Sequence, residues 1–260
     1  MSPSYPPVSV FGVPTDIGAS RRGASMGPEA LRVAGLVEAI AARGIDVRDL
    51  GDVHGPRNPT SPPIDGYRDL DEVVAWNRAV FDMSTRELQA GRMPILLGGD
   101  HCLGIGSIAA VAAHCRATGK KLRVLWLDAH ADFNTREITP SGNIHGMPVA
   151  CLCGLGPQPL TTMAGHVPAI TPGQVRQIGI RSVDPGEKRL VQEHGLDIYD
   201  MRYIDEVGMR RAMEMIADSG RMGSLDIVEL NPVLDNRNMT AELAVDLVES
   251  LFGKSTLMRD

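Results

Sequence analysis

The segment that most constrains the fold of this chain is residues 122–134, where an uncharged apolar run is followed by evenly spaced polar side chains. Residues 124–127 are β-formers without a charge or a helix breaker, which favours a strand buried on both faces of a parallel sheet. Asp128, His130 and Asp132 follow at alternate positions. Because side chains alternate along an extended backbone, all three would lie on one side of it. Oxygen and imidazole groups that converge at the carboxyl end of a sheet strand are typical ligands of a divalent metal ion.

An alternative interpretation of this segment involves no metal. Asp128 and Asp132 could cap the next helix, and His130 could be a buried histidine with satisfied hydrogen bonds. Capping alone does not explain three possible ligands at regular spacing, so we favour metal binding.

Polar side chains also follow two other predicted strands. His101 ends the motif Gly98-Gly-Asp-His101, and Glu229-Leu-Asn-Pro232 ends the last strand. Ligand sites in open α/β sheets lie beyond the carboxyl ends of the strands, so these groups should meet Asp128 and its neighbours. Two histidines and several carboxylates favour Mn²⁺, or Fe, Co or Ni, over an all-oxygen Mg²⁺ site or a thiolate zinc site. If Asp128 bridged two ions, the pair could activate water as hydroxide, which indicates a hydrolase.

Length and charge limit the remaining possibilities. The 260 residues are enough for one large α/β domain, and we treat residues 1–260 as one domain. The net charge is −6 and there is no basic run, which disfavours binding to nucleic acid or to an anionic membrane. The sequence has no membrane-length apolar stretch and no signal-peptide pattern at its start. Its 4 cysteines form neither a disulfide nor a zinc pattern, which indicates a reduced, cytoplasmic protein.

Hydrophobic periodicity predicts seven strands that alternate with helices. The predicted strands cover residues 8–13, 45–50, 94–97, 124–127, 175–180, 196–199 and 223–230. The predicted helices cover residues 28–43, 69–90, 103–118, 204–219 and 239–252, with shorter helices after residues 141–148 and 184–187 and a loop at 155–173. This alternation is the signature of an α/β fold in which a doubly wound, mostly parallel sheet lies between two layers of helices.

Four motifs together closely resemble the ureohydrolases, and specifically the arginases. They are Gly98-Gly-Asp-His101, Asp128-Ala-His-Ala-Asp132, Ser141-Gly-Asn-Ile-His-Gly-Met-Pro148 and Glu229-Leu-Asn-Pro232. Residues 23–32 and 240–244 also look like arginase, so the resemblance covers almost the whole chain. It implies an arginase-like α/β fold with a binuclear manganese centre. The bridging hydroxide of that centre would attack the guanidinium carbon of L-arginine and give L-ornithine and urea.

The resemblance also implies roles for individual residues. The metal ligands would be His101, Asp128, His130 and Asp132. Glu229 would pair with the substrate guanidinium, because a carboxylate suits this planar bidentate donor. Two simpler interpretations remain open for the catalytic residues. Glu229 could be the buried partner of an arginine, and His145, implied to be the proton shuttle, could be a loop histidine bonded to nearby backbone.

The substrate's amino-acid end would be held by a second group of polar residues. Asn134, Ser141 and Asn143 would bind the α-carboxylate, and Asp184 would bear on the α-amino group. These contacts favour arginase over agmatinase, whose substrate has no α-carboxylate.

One arginase motif is missing from the chain. A strand of the form Ser-x-Asp-x-Asp-x-x-Asp-Pro is expected before residue 225, but residues 209–213 run directly into 214–220, as if two helix fragments were fused in frame. The missing aspartates would be the remaining metal ligands, and sequence position alone does not favour Asp226 or Glu229 as replacements. The family places this strand inside the sheet, so its loss should leave two strands with unpaired edges. We therefore expect lowered stability and little or no turnover.

Three hypotheses follow. The chain is an arginase-type manganese enzyme with impaired activity, an inactive arginase-like variant or modulatory subunit, or an agmatinase- or guanidinobutyrate-type amidinohydrolase. For the first, the resemblance implies L-arginine as substrate, a role in arginine metabolism such as the urea cycle, and a homo-oligomer that is trimeric or hexameric.

Overall fold

The computed structural model describes residues 5–59 and 62–254. Part of the N-terminal segment that lacks a signal-peptide pattern, and two residues of the loop before residue 69, lie outside the described residues. Within the described ranges no helix is long and apolar enough to cross a membrane.

The described residues form seven strands arranged in two parallel sheets. The strands are β1 Val8–Val13, β2 Val47–Asp52, β3 Met93–Gly98, β4 Val124–Leu127, β5 Val175–Ile180, β6 Asp197–Asp200 and β7 Leu225–Ile227. One sheet has the order β2-β1-β3-β7 and the other has the order β4-β5-β6. Every pairing is parallel. The α/β fold with an interior strand missing is therefore confirmed.

Ten α-helices are present in the described residues, and they cover both faces of the first sheet. They are α1 Gly27–Val33, α2 Leu36–Ala42, α3 Leu70–Gln89, α4 Gly104–Ala117, α5 Pro148–Leu152, α6 Gln158–Thr161, α7 Pro185–His194, α8 Met201–Val207, α9 Met209–Ser219 and α10 Met239–Leu251. Along β1, Val8 and Val10 pack into a core with α1, α2 and α10, whereas Phe11 packs into a core with α3 and α4. This gives three layers, as the alternating strands and helices predict.

The break in the sheet lies between β4 and β7. Among the described residues β4 pairs with β5 alone and β7 pairs with β3 alone. The amide of Asp128 donates to β5, at Ile178. Because backbone groups alternate between neighbours along a strand, those of Leu125 and Leu127 face the open edge. The expected unpaired edges are therefore present, since the neighbours do not close the gap.

The prediction that β4 is buried on both faces is wrong. Val124 and Trp126 are buried, but Leu125 and Leu127 are 39% and 38% exposed. The apolar run suits a strand with neighbours on both sides and helices on both faces. With one neighbour missing, the face that carries Leu125 and Leu127 lacks full cover.

Two predicted helices are interrupted at glycines. The helix predicted for residues 28–43 breaks at Gly35, which has φ 82°, and Val33 just before the break is 75% exposed. The helix predicted for residues 204–219 breaks at Gly208, with φ 84° and ψ 134°. Glycine adopts these positive φ values without the steric cost that a Cβ atom brings. Periodicity continues across each glycine, so the sequence does not reveal either break.

The other elements lie close to their predicted positions. The last strand, predicted for residues 223–230, is reduced to Leu225–Ile227, since it has a partner on one side only. The predicted loop at residues 155–173 contains the short helix α6.

Candidate metal and active site

The tight turn after β3 places His101 at the carboxyl end of the first sheet. A Cβ atom on Gly99 would lie 1.8 Å from the carbonyl oxygen of Thr15, so only glycine allows the two backbones to approach this closely. Asp100 follows, and its Oδ1 accepts a hydrogen bond of 2.9 Å from the amide of Cys102. This bond caps a 3₁₀ turn, His101–Leu103, whose three residues are all buried.

The segment after β4 is held by hydrogen bonds from three directions. Gln177 of β5 donates to the carbonyl of Ala131, and the amide of Val149 donates to the carbonyl of Asp132 at 3.0 Å. The amide of Phe133 donates to Glu187 Oε1 at 2.8 Å. These bonds hold Asp132 in a left-handed conformation with φ 50°. Such strain in a non-glycine residue persists only where the surroundings enforce it, and it is frequent at functional sites.

Three buried ligand atoms from the two turns converge. The Nδ1 atom of His101 lies 3.0 Å from Asp128 Oδ2 and 3.1 Å from Asp132 Oδ2. None of these three atoms has a hydrogen bond of acceptable geometry within the described residues. The other oxygen of Asp128, Oδ1, accepts from the backbone amides of Ala129 and His130, which fixes the carboxylate so that Oδ2 points inward. Buried polar atoms without partners are costly, so their convergence indicates a site for a cation.

The surroundings of the cluster favour positive charge. Burial alone would lower the pKa of His101, but the nearby Asp128, Asp132 and Glu229 carboxylates raise it well above its usual range. Burial raises the pKa of Asp132, and His101 helps to hold the pKa of Asp128 below its usual range despite burial. A divalent cation would therefore displace the imidazole proton and neutralise the carboxylates.

Trp126 of β4 forms a wall of the cluster. Its ring stacks on the His101 imidazole, with ring centroids 4.2 Å apart and planes 9° apart. This contact joins the first strand of one sheet to the turn after β3 in the other. The stacking fixes the plane of the imidazole and so directs Nδ1 at the carboxylates.

Glu229 reaches the same site from the end of β7. Its amide donates to the carbonyl of Gly99 at 2.7 Å, and its φ of 65° is again left-handed. Glu229 Oε2 lies 3.5 Å from His101 Nδ1, and Oε1 lies 2.9 Å from His145 Nε2. The interpretation of Glu229 as the partner of an arginine is therefore wrong, since its charged partners are two histidines.

His145 lies between two carboxylates. Its Nδ1 is 3.2 Å from Asp100 Oδ2, and its Nε2 faces Glu229. Burial opposes the charged imidazole, but Asp100 and Glu229 together raise the pKa of His145 to about 11. The alternative in which its ring bonds only to nearby backbone is wrong, and in this arrangement the imidazole does not titrate near neutrality.

His130 differs from His101 in its surroundings. Its side chain is 53% exposed, and its Nδ1 lies 3.5 Å from Asp128 Oδ1. The alternative that His130 is a buried, satisfied histidine is therefore wrong. The capping alternative also fails, because the next helical turn, Ile144–Gly146, has Asn143 at its N-cap. Asp128, His130 and Asp132 still offer three ligand atoms within 4.8 Å of one another.

The four residues implied to bind the amino-acid end form two pairs. Asn134 is buried, its Nδ2 lies 3.4 Å from Asp184 Oδ2, and its Oδ1 has no partner among the described residues. Ser141 Oγ accepts from the amide of Asn143 at 3.2 Å, and the Asn143 side chain exchanges hydrogen bonds with Ser20. In the first pair Asn134 is buried and Asp184 is exposed, whereas in the second pair Ser141 is exposed and Asn143 is half-buried.

Sequence reasoning assigned no role to three residues that shape the site. Asp100, which is 1% exposed, orients His145, and Trp126 stacks on His101. Glu187 holds the segment after β4 through Phe133. Of these three residues only Asp100 lies within a motif, Gly98-Gly-Asp-His101, so its position in that motif is the sequence signal for it. Asp226 accepts a hydrogen bond from Ser107 at 2.7 Å and is not in either group of possible ligands.

The cluster fits a divalent ion. Adjacent ligands of an octahedral ion bound at ~2.1 Å lie roughly 3 Å apart, as the His101 Nδ1 separations do. A mixed set of imidazole and carboxylate ligands without a thiolate suits Mn²⁺ and its first-row neighbours. The donors present and their unpartnered inward atoms therefore agree with the sequence prediction of a metal site at this edge of the sheet.

Comparison with known proteins matches this fold and site to one family. The family model described as "Arginase family" matches residues 6–222 and 210–253. An arginase of Bacillus caldovelox is 38% identical over 301 aligned residues, which cover 96% of this chain and 99% of the relative. An arginase of Brucella melitensis is 37% identical over 96% of the chain and 97% of the relative.

Solved structures agree with the sequence relatives. The native structure of Bacillus caldovelox arginase has a TM-score of 0.90 at 37% identity, and it covers 97% of this chain and 100% of its own. The Entamoeba histolytica arginase in complex with L-ornithine has a TM-score of 0.82 at 29% identity, covering 96% and 99%. The fold and the relatives define a metal-dependent hydrolase of the ureohydrolase class. The chain belongs to the arginase family.

The comparisons also locate a gap in the chain. The 301 aligned positions exceed the 260 residues of the whole chain, so the alignment opens a gap of several tens of residues on this side. The two family matches overlap at residues 210–222, where the sequence reads as two fused helix fragments. Both observations agree with the two open strand edges.

Proposed function

We propose that this chain is an arginase-type manganese hydrolase that converts L-arginine and water to L-ornithine and urea at a reduced rate. The observation that carries the proposal is the convergence of His101 Nδ1, Asp128 Oδ2 and Asp132 Oδ2 beside the contact between His145 and Glu229. His130 would add a more exposed ligand on the outer side.

His101, Asp128 and Asp132 would hold the ion, with Trp126 and the backbone amides after Asp128 fixing the ligand orientations. When bound, a divalent manganese ion lowers the pKa of water so that hydroxide is available at neutral pH. Hydrogen bonds that orient the ligand side chains raise the affinity of the site for the ion and fix the positions of the ligand atoms.

Glu229 would bind the guanidinium group, since its two oxygens match two parallel N–H donors. His145 keeps a proton at neutral pH because Asp100 and Glu229 raise its pKa. Pairing of Glu229 with the guanidinium weakens one of these two contacts, so the His145 pKa would fall on substrate binding. The imidazolium could then donate its Nε2 proton to the leaving nitrogen.

The paired polar residues would bind the amino-acid end of the substrate. Asn134, Ser141 and Asn143 can donate to the α-carboxylate, and Asp184 can accept from the α-amino group. The Entamoeba histolytica arginase, a structural neighbour, was solved in complex with L-ornithine, which supports a product of this kind for the proposed reaction. By resemblance to arginases, we further propose that the chain acts in the cytoplasm as a homo-oligomer.

The reduced rate follows from the missing ligands. The described residues offer His101, Asp128, His130, Asp132 and Glu229 as ligands at this edge of the sheet. This set is small for two ions, and Asp128 follows a strand, β4, that has one neighbour among the described residues. An inactive arginase-like chain, possible for the same reason, is the second candidate.

Urea release from L-arginine tests the proposal. The full chain, loaded with Mn²⁺, is assayed beside the Bacillus caldovelox arginase, with agmatine and 4-guanidinobutyrate as alternative substrates. We expect urea from L-arginine at a rate at least about 100-fold below that of the relative, and less from agmatine. Urea no greater than in the metal-free blank would favour the inactive variant. Equal use of agmatine would favour an agmatinase-type enzyme.

A further inference from the structure

We infer that Glu229 is itself a ligand of the ion in this chain, and that the chain binds one divalent ion tightly rather than two. The inference deepens the proposed function, because it concerns the same site and the residue expected to hold the guanidinium. It concerns the substrate-free protein, in which Glu229 would close the inner shell around His101, Asp128 and Asp132.

The ligand atoms that define this shell are already grouped. One atom each from His101, Asp128 and Glu229 lie within 4.8 Å of one another. Asp132 Oδ2 lies 3.1 Å from the same His101 nitrogen. A shell of one imidazole and three carboxylates is complete enough for one ion, and each added carboxylate charge raises affinity.

Unpartnered buried atoms show that the group is arranged around a cation. His101 is 8% exposed and Asp132 is 3% exposed, and neither His101 Nδ1 nor Asp132 Oδ2 has a hydrogen-bond partner among the described residues. His101 Nδ1 lies 3.1 Å from Asp132 Oδ2 and 3.5 Å from Glu229 Oε2, so the nitrogen connects the two carboxylates. Buried polar atoms that lack a well-formed hydrogen bond are costly, and a cation held between them would satisfy them.

The backbone brings Glu229 to the cluster directly. Strand β7 pairs with β3, and the 2.7 Å bond from the Glu229 amide to the carbonyl of Gly99 ties the end of β7 to the turn that carries His101. The φ of 65° at Glu229 is costly for a residue with a long side chain. With this backbone conformation the Glu229 carboxylate lies beside His101, with Oε2 3.5 Å from Nδ1.

The second possible group of ligands is weaker. It consists of Asp128, His130 and Asp132, of which Asp128 also belongs to the first group and Asp132 Oδ2 contacts His101 Nδ1 at 3.1 Å. Its one separate member, His130, has a side chain that is 53% exposed. An exposed ligand gains less from an ion because water competes for it, so a second ion would bind much less tightly.

In this arrangement the ion and the substrate compete for the Glu229 carboxylate. Glu229 Oε2 faces the cluster while Oε1 faces His145 at 2.9 Å. Bidentate binding of a guanidinium requires both oxygens of the carboxylate. L-arginine must therefore release Glu229 from the ion, and by thermodynamic linkage L-arginine and the ion weaken each other's binding.

The test is a titration of the full chain with Mn²⁺, in which the free ion is counted by its electron paramagnetic resonance signal. Wild-type protein should bind one ion tightly. Glu229→Gln removes the charge and keeps the shape, and it should weaken that binding by about tenfold or more. Glu242→Gln, the same change on the exposed face of α10, should leave the affinity unchanged. A circular dichroism spectrum checks that each variant folds.

A second arm repeats the titration with saturating L-arginine. In wild type the apparent Kd for Mn²⁺ should rise severalfold, and in Glu229→Gln it should not change. Glu229→Asp, which keeps the charge on a shorter side chain, should fall between wild type and the glutamine variant, and it replaces that variant if the latter does not fold.

The outcomes separate this inference from the proposed function. Unchanged Mn²⁺ affinity in the folded Glu229 variants, two ions of equal affinity, or no bound ion would overturn the inference. If Glu229→Gln weakens Mn²⁺ binding while no urea is released and L-arginine has no effect on the ion, the ligand role of Glu229 stands and the proposed hydrolysis fails.

Discussion

Strands β3 and β4 begin from similar sequences and have different surroundings. Both are short apolar runs that end in polar site residues, β3 before Asp100 and His101 and β4 before Asp128. All six residues of β3 are buried between β1 and β7, whereas β4 alternates buried and exposed residues beside β5 alone. An apolar run therefore indicates a strand suited to burial, but neighbours decide whether it is buried.

The comparison extends to the histidines at the two strand ends. His101, beyond β3, is buried and stacked on Trp126, whereas His130, beyond β4, is exposed. The side of the site that belongs to the complete part of the first sheet is thus enclosed. The side that borders the missing strand is open, and this asymmetry is the basis of the predictions below.

Matched leucine substitutions test the asymmetry of the sheets and should have the largest effect. Leu96→Ala in β3, at 1% exposure, should lower the free energy of unfolding by about 2–5 kcal/mol, because it leaves a buried cavity. Leu125→Ala in β4, at 39% exposure, should cost about 1 kcal/mol or less. Urea denaturation measures both.

Equal losses of unfolding free energy in Leu96→Ala and Leu125→Ala would contradict the difference in burial between β3 and β4. They would mean that the exposed face of β4 is covered in solution, for example by another copy of the chain. Repeating the denaturation over a range of protein concentrations would then separate self-association from internal packing, since only the former depends on concentration.

Matched asparagine substitutions compare the two histidines. His101→Asn should weaken Mn²⁺ binding by about 100-fold, because it removes a buried ligand and leaves two carboxylates facing each other. His130→Asn should weaken it by less than about tenfold, since its ligand is exposed. Isothermal titration with Mn²⁺ gives both affinities. A larger effect at His130 than at His101 would contradict the assignment of the tight site to the enclosed side.

The sequence predicts the strands and the meeting of their ends better than it predicts their packing. Periodicity is a local property, so β1, β4 and β5 have the predicted bounds and His101 meets Asp128 as parallel strand ends require. The exposure of Leu125 depends on a neighbour that is absent. The broken helices depend on Gly35 and Gly208, because a single glycine within a periodic pattern is compatible with a continuous helix.

Local sequence patterns also do not predict which side chains contact each other within the site. His145 reaches Asp100 because its amide donates to the carbonyl of Gly18 at 3.1 Å, a loop far away in sequence. Glu229 reaches His101 through the left-handed backbone that ends β7. Both positions are set by tertiary hydrogen bonds, whereas the motifs indicated only which residue types would be near the site.

Asp226 on β7 gives a pH-dependent prediction for the open edge. Burial raises its pKa to about 6, above the ordinary value of 3.8. A raised carboxyl pKa favours the folded state below pH 3.8, and this contribution is lost as the pH rises through about 6. Asp226→Asn should therefore raise the free energy of unfolding at pH 7.5 by about 1–3 kcal/mol and have little effect at pH 4.

The asparagine keeps an oxygen that can accept from Ser107, so the effect isolates the charge. Asp205→Asn, on an exposed position of α8, is the control and should change stability little at either pH. Thermal unfolding at the two pH values measures the difference. A stabilisation that is the same at pH 4 and pH 7.5 would contradict the role of the buried charge.

The smallest expected effect concerns the connection between the two halves of the molecule. Helix α8 packs on β5 and β6 of the second sheet, whereas α9 packs on α10, which covers the first sheet. Gly208 joins the two helices with φ 84°, a conformation that strains other residues. Gly208→Ala should therefore lower the free energy of unfolding by about 1 kcal/mol, measured by urea denaturation.

The sequence alone predicts the opposite sign for this change, because a helix that continues through residue 208 would gain about 1 kcal/mol from alanine in place of glycine. A stabilised variant with higher helix content would show that α8 and α9 join readily into the continuous helix. One continuous helix, instead of two helices joined at an angle, would then connect the two sheets. A destabilised variant with unchanged helix content would show that the packing of α8 and α9 on different sheets enforces the bend. The backbone would then accommodate the missing strand at Gly208.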